Sequence, residues 1–179
     1  MNSGNSTRHY QGRIISVTVD DVTLPNGHRA QLEVVHHPGG AAIVAINDLQ
    51  QVCLLRQYRY VAGGWIWELP AGKLEPAEPP EATARRELSE EAGVVATDWV
   101  GLGSMLSSPG VFAEVIHLYL AQGLAAAHSR HEDSEVLEAH WVSFRQVCDM
   151  ALSGELRDAK TTVGVLRAAY HLGMTLTSR

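Results

Sequence analysis

The sequence predicts an α/β protein in which helices sandwich a mixed β-sheet, with a β-hairpin extension at the N-terminus. Three observations carry that reading. Strand-like segments dominate the first half of the chain, one strongly marked helix interrupts them, and two helical segments follow near the C-terminus. At 179 residues, 45% hydrophobic and 19% charged, the chain is long enough for one folded domain and too apolar for a disordered one.

Residues 13–19 read as a strand by their β-branched content, although they alternate only in part. Leu24-Pro25-Asn26-Gly27 is a turn signal, because Asn-Gly reaches positive φ cheaply, and residues 29–36 return as the partner strand. His36-His37-Pro38-Gly39-Gly40 then separates an N-terminal β extension, residues 1–37, from a main domain, residues 38–179. Residues 41–46 and 51–58 predict a second hairpin turning at Asn47-Asp48, its first arm apolar enough to be central. Residues 65–69 form a short strand stopped by Pro70.

The clearest helix covers residues 79–92. Pro79 and Pro80 suit a first turn, where a missing N–H is no loss, and Gly93 suits the C-terminal stop. Ala84, Leu88 and Ala92 give it one packing stripe. Strands are expected at 99–102, 115–121 and 136–142, and helices at 144–153 and 162–171.

Composition excludes several classes of function. A net charge of −6 argues against nucleic-acid binding, which needs clustered Lys and Arg. No apolar run approaches the roughly 20 residues that cross a bilayer, and the polar first residues lack a secretory core. Two distant cysteines, Cys53 and Cys148, make neither a disulfide framework nor a zinc site, so a reduced, cytoplasmic protein is expected. The negative charge is concentrated: seven acids against three bases lie between Glu68 and Glu91, about two thirds of the net charge.

Glu87, Glu90 and Glu91 stand at i, i+3 and i+4, which places three carboxylates close together on one helix face. Such a face is either solvated and offset by Arg85 and Arg86, or a site for a hard divalent cation, which prefers carboxylates plus substrate phosphates. The surrounding residues decide between these. The run GKLEPAEPPEATARRELSEEAGV fits G-x5-E-x7-R-E-(aliphatic)-x-E-E-x-G-(aliphatic) at Gly72, Glu78, Arg86, Glu87, Leu88, Glu90, Glu91, Gly93 and Val94.

This run resembles the Nudix box, the signature of hydrolases that act on a nucleoside diphosphate linked to another group. The resemblance implies an α/β/α sandwich, a Mg²⁺ cofactor (with Mn²⁺ as the alternative), and a small-molecule nucleoside diphosphate substrate. It implies that Glu87 and Glu91 ligate metal, with Glu90 a ligand or water-holder and the Ala71 carbonyl a further ligand. Arg86 would pair with Glu78 to fix the loop, and Gly72 and Gly93 would be backbone devices.

The flanks resemble the ADP-ribose pyrophosphatase branch of that family. They are Arg56-Gln57-Tyr58-Arg59, Glu68-Leu69-Pro70-Ala71-Gly72, Ser107-Ser108-Pro109-Gly110 with Glu114, and Asp158-Ala159-Lys160-Thr161. The proline marker of that branch corresponds to Pro109. Relatives that cleave GDP-mannose or other sugar nucleotides share several of these features, so that substrate class stays open. A non-catalytic nucleotide-binding module is a further alternative. ADP-ribose-cleaving relatives are commonly dimers joined through N-terminal strands, so the extension implies a homodimer.

The substrate contacts have two readings each. Arg56 and Arg59 can clamp phosphate oxygens or be plain surface cations. Trp65 and Trp67, two apart, face one side of a strand, where they can stack a base or simply pack. Glu68 faces the other way, toward a ribose hydroxyl or a metal. The resemblance implies a catalytic base in the loop His131-Glu132-Asp133-Ser134-Glu135, first at Glu135, then at Glu132, then at Asp133, and the alternative is a plain solvated acidic loop.

Overall fold

In the computed structural model, which describes residues 3–128 and 136–176, the chain folds as two units. One is Met1–Gly39 with Leu106–Val115, the other Gly40–Met105 with Ile116–Arg179. Strands β8 (Val94–Ser108) and β9 (Phe112–Ala126) pair with each other and run through both.

The first unit is a meander of three antiparallel strands, β1 (Ser3–Gln11), β2 (Ser16–Thr23) and β3 (Arg29–His36), where the sequence predicted a two-stranded hairpin. The added strand, β1, is exposed along its described length and so shows no hydrophobic alternation. What holds it is the backbone ladder to β2, a non-local pairing that composition does not announce. The turn at Asn26-Gly27 forms as expected: Gly27 has φ 81°, and the His28 N–H donates to Asn26 Oδ1 at 3.0 Å. Beyond β2, Val35 and His36 of β3 pair in parallel with Phe112 and Ala113 at the start of β9.

The second unit corrects the other predicted hairpin. Strand β4 (Gly40–Ala45) is buried at every residue. It lies parallel to residues 116–121 of β9, and antiparallel to the short strand β7 (Ala71–Lys73). Strand β5 (Gln51–Arg59) belongs to a different sheet, between β10 (Leu137–Ser143) and β6 (Gly64–Glu68). Between the two arms the backbone pairing is reduced to the isolated bridge Ile46–Val52. Asn47 makes the crossing, its Oδ1 accepting the N–H groups of Leu49 and Gln51 at 3.0 and 2.9 Å. A strand with both faces buried needs cover on both faces, and that cover is helical.

Helix α1 (Pro80–Ala92) puts Ala84 and Leu88 against Ile43, Ala45, Cys53 and Leu55. Helices α2 (Phe144–Ser153) and α3 (Ala159–His171) put Val147, Cys148, Val165 and Ala168 against Val44, Ile46, Val52 and Leu54. Alternate residues of β4 thus enter opposite cores, which is the expected sandwich. Helix α3 starts three residues earlier than predicted, because the Asp158 carboxylate accepts the Thr161 N–H at 3.0 Å and caps it. Gly164 lets α3 come close: a β-carbon there would stand 2.9 Å from Leu69 Cδ1. The expected strands at 99–102 and 115–121 are short pieces of β8 and β9, each 15 residues long. Among the described residues, no helix is long and apolar enough to cross a membrane.

Leu88 is fully buried where α1 meets the sheet. Leu88→Ala is expected to cost about 3 kcal/mol and to lower the thermal midpoint by roughly 10 °C. Calorimetry checks this, and a loss under about 1 kcal/mol would contradict the packing described.

Candidate active site

The acidic face of α1 is organised around a single guanidinium. Pro79 is the N-cap and Pro80 the first helical residue, so the chain enters the helix with φ already set. Arg86, two turns on, reaches back to the loop. Its Nε and Nη2 donate to the two Glu78 oxygens, each at 3.2 Å, and Nη2 also donates to the Lys73 carbonyl at 3.3 Å. Its Nη1 donates to Glu87 Oε1 at 2.7 Å and Glu90 Oε2 at 3.1 Å. Thr83 Oγ1 adds a bond to Glu78 Oε2 at 2.7 Å.

These contacts set the charges. The Arg86 hydrogen bond outweighs the opposing effect of burial and, with Thr83, holds the Glu78 carboxyl down to about 2. Burial works against the Arg86 cation, but Glu78, Glu87 and Glu90 more than offset it and raise its pKa. Arg86 thus pairs with Glu78, the partner the resemblance implied, and contacts the metal-ligand candidates as well.

Glu87 and Glu91 are buried, while Glu90 is more exposed. Glu91 Oε2 accepts the Ala71 N–H at 2.7 Å, which ties β7 to the helix. Gly72 passes so close to α1 that a β-carbon there would run into the Glu87 carboxylate. Gly93, at φ 63°, ends the helix and donates its N–H to the Ser89 carbonyl. Among the described residues, no three His, Cys, Asp or Glu side chains form a ready-made metal cage. In this arrangement Glu87 and Glu90 turn toward Arg86.

The donor set still suits a hard cation. It is all oxygen, two of the three carboxylates are buried, and the Gly72 backbone leaves the Glu87 carboxylate the space a side chain would fill. The positive charge already in contact is a guanidinium, which can exchange partners.

A second charge cluster lies at the end of β6. Glu68, 3% exposed, accepts Arg59 Nε and Nη2 at 2.8 and 2.9 Å and Lys160 Nζ at 2.6 Å. Lys160 also meets Asp158 at 3.0 Å. The next residue along, Leu69, donates its N–H to Thr161 Oγ1 at 2.8 Å, and that hydroxyl donates to Asp158 Oδ2 at 2.6 Å. Burial pushes the Glu68 carboxyl up, but the Arg59 hydrogen bond and the Lys160 and Arg59 charges outweigh it and bring it to about 2. Arg59 is raised, first by its bond to Glu68 and further by the charges of Glu91 and Asp158.

The two tryptophans share a face, as their spacing required. The Arg56 guanidinium carbon lies 5.9 Å from the Trp65 ring centre and 5.8 Å from that of Trp67. Trp65 meets Tyr58 and Trp67 meets His140 edge-on. Glu68 is on the opposite face, where its oxygens take up Arg59 and Lys160.

Pro109, at the turn between β8 and β9, and Glu114 belong to the first unit, where Glu114 pairs with His37 at 3.0 Å. Glu132 and Glu135, with His131 and Asp133, lie outside the described residues. The role of Lys160 and Thr161 in holding Glu68 and Leu69 was not legible in the sequence. The sequence marked this stretch in two ways, by the resemblance of Asp158-Ala159-Lys160-Thr161 and by the Asp-x-x-Thr spacing of a helix cap, neither of which names Glu68 or Leu69 as partner.

Stability should follow the Glu68 charge. Its carboxyl titrates near 2 folded and near 4.5 unfolded, so the contribution is complete above about pH 4.5 and is lost as pH falls toward 2. Glu68→Gln is expected to cost about 2–3 kcal/mol at neutral pH. The gap from the unaltered protein should narrow through that acid window. Urea titrations between pH 7 and pH 2.5 test it, and a gap independent of pH would refute the assignment.

Comparison with known proteins places this geometry in a family. The NUDIX domain model matches residues 36–163. The ADP-ribose pyrophosphatase of Bacillus subtilis (strain 168) is 36% identical over 158 residues, 87% of this chain and 85% of its own length. The ADP-ribose pyrophosphatase of Mycobacterium tuberculosis (strain ATCC 25618 / H37Rv) is 37% identical over 161 residues, 88% and 77% of the two chains. A solved structure described as an ADP compounds hydrolase shares the fold with a TM-score of 0.83, at 21% identity over 96% of this chain and 94% of its own. With the match covering the acidic helix, the Gly72 approach and the strands that carry them, the chain belongs to the NUDIX family.

Proposed function

We propose that this protein hydrolyses the diphosphate of ADP-ribose, adding water across one P–O–P bridge to give AMP and ribose 5-phosphate. The observation that carries the reading is the intact carboxylate set Glu87, Glu90 and Glu91 on a chain 36% identical to an ADP-ribose pyrophosphatase over most of its length. A non-catalytic binder has little reason to keep three carboxylates together against their own repulsion.

The cofactor in this reading is Mg²⁺, with Mn²⁺ as the alternative, held by Glu87, Glu90, Glu91 and the Ala71 carbonyl. Bound there, a divalent ion neutralises diphosphate charge and acidifies a water. The protein's own groups do the rest. Arg59 offers a planar fork suited to phosphate oxygens. Arg56 with Trp65 and Trp67 offers a cationic and aromatic surface for a nucleobase. Glu135, or else Glu132, takes the proton of the attacking water. The working form is a cytoplasmic homodimer joined through the N-terminal strands. Elution as a 19.5 kDa monomer at micromolar concentration would contradict that assembly.

The test is a substrate panel with Mg²⁺ and an EDTA control, with products separated by ion exchange. AMP and ribose 5-phosphate from ADP-ribose, abolished by EDTA and slower from every other compound, is the expected outcome. Faster cleavage of GDP-mannose or ADP-glucose would keep the chemistry and replace the substrate. Binding of ADP-ribose without cleavage of anything would overturn the enzyme reading. Glu90→Gln is expected to lower turnover at least about 100-fold with the fold retained.

A further inference from the structure

Glu68 has more positive charge around it than one buried carboxylate needs, and its two cations differ in kind. Arg59 is 42% exposed and sits at the strand end, whereas Lys160 is 16% exposed and anchored on α3 beside Asp158. Lys160 is held from two sides, by Glu68 at 2.6 Å and Asp158 at 3.0 Å, while Arg59 directs its two-toothed pair at Glu68. Removing the sole partner of a buried carboxylate is expensive, so a cation that must serve elsewhere needs a substitute to stay behind.

We propose that Lys160 is a positioning residue that stays on Glu68 and so releases Arg59 to the substrate diphosphate. The proposal rests on the reading that this protein cleaves a nucleoside diphosphate derivative. In the resting arrangement Arg59 closes a two-toothed pair with Glu68. When a diphosphate arrives, the guanidinium exchanges the carboxylate for phosphate oxygens, which its fork fits equally well. Glu68 keeps its bond to Lys160 throughout and is never left buried without a cation. Thr161, taking the Leu69 N–H at 2.8 Å, keeps α3 and the end of β6 in register during the exchange. The depressed carboxyl of Glu68 fits a group that stays charged under all working conditions.

The consequence is specific. Without Lys160, Glu68 must retain Arg59, so the loss falls on substrate binding and not on the chemical step. It should also depend on Arg59 being present. A purely structural lysine would harm folding or turnover in either background.

The experiment is a double-mutant cycle in the full chain, with Lys160→Met, Arg59→Ala and both together. Steady-state kinetics on ADP-ribose with Mg²⁺ would run at a temperature where melting curves show every variant folded. Lys160→Met is expected to raise KM about tenfold with kcat within about threefold. It should add nothing further once Arg59 is alanine, and Lys160→Arg should restore KM. Equal effects of Lys160→Met with and without Arg59 would overturn the proposal, as would a loss confined to kcat. In either case the functional reading stands as long as the unaltered protein turns over. No turnover of any diphosphate by the unaltered protein would overturn the reading and the proposal together.

Discussion

The acidic face of α1 depends on the Arg86 guanidinium. Three carboxylates within two turns repel one another, and two of them are buried, where uncompensated charge is most costly. Arg86 meets Glu87 and Glu90 on one side and Glu78 on the other, while the Ala71 N–H takes an oxygen of Glu91. One side chain thereby sets the loop that precedes the helix, the spacing of the carboxylates and the charge balance of the site. The other features of this corner follow from bringing backbone that close: Gly72 lacks a side chain because the Glu87 carboxylate occupies the place of one.

The same logic operates over a longer stretch of chain at Glu68. Its partner Lys160 is 92 residues away in sequence, and Leu69 reaches Thr161 across the same separation. These bonds pin the N-terminus of α3 to the end of β6, and Gly164 allows the close contact that they require. Two residues beyond Leu69, the Ala71 N–H is bonded to Glu91. The backbone at 68–71 is thus fixed from both sides of the sheet, by α3 through Glu68 and Leu69 and by α1 through Ala71. The Ala71 carbonyl, a ligand in the proposed reading, gains its position from contacts that no local segment contains.

This division explains which parts were legible in the sequence. The acidic helix was, because its constraints are local: prolines at the first turn, a glycine at the stop, and carboxylates at i, i+3 and i+4. The central position of β4 and the helical layers followed from apolar composition and the order of the elements. What was not legible was non-local. β1 carries no hydrophobic signal and exists through its ladder with β2. The step of β4 and β5 into different sheets hides behind a turn at Asn47 that reads like a hairpin. Lys160 stood in a motif marked by resemblance, but nothing in the motif says that its partner is Glu68. In each case the missing information was a pairing partner, which spacing along a chain does not encode.

The two charge clusters share a design that bears on how a charged ligand enters. Arg86 holds Glu87 and Glu90 through Nη1, but its Nε and Nη2 belong to Glu78. A cation that competes for Glu87 and Glu90 leaves Arg86 still paired with Glu78, whose carboxyl stays ionised down to about pH 2. At the second cluster, an anion that competes for Arg59 leaves Glu68 still paired with Lys160. In both places a shared ion has one partner free to exchange and one that remains. In the proposed reaction, an incoming cation and an incoming diphosphate would therefore each meet a group of opposite charge whose release strands no buried charge. A site with single partners would have to desolvate an ion at each exchange, a penalty of several kcal/mol. The second partner removes most of that penalty, which is the physical reason for surrounding Glu68 and Arg86 with more charge than pairing alone requires.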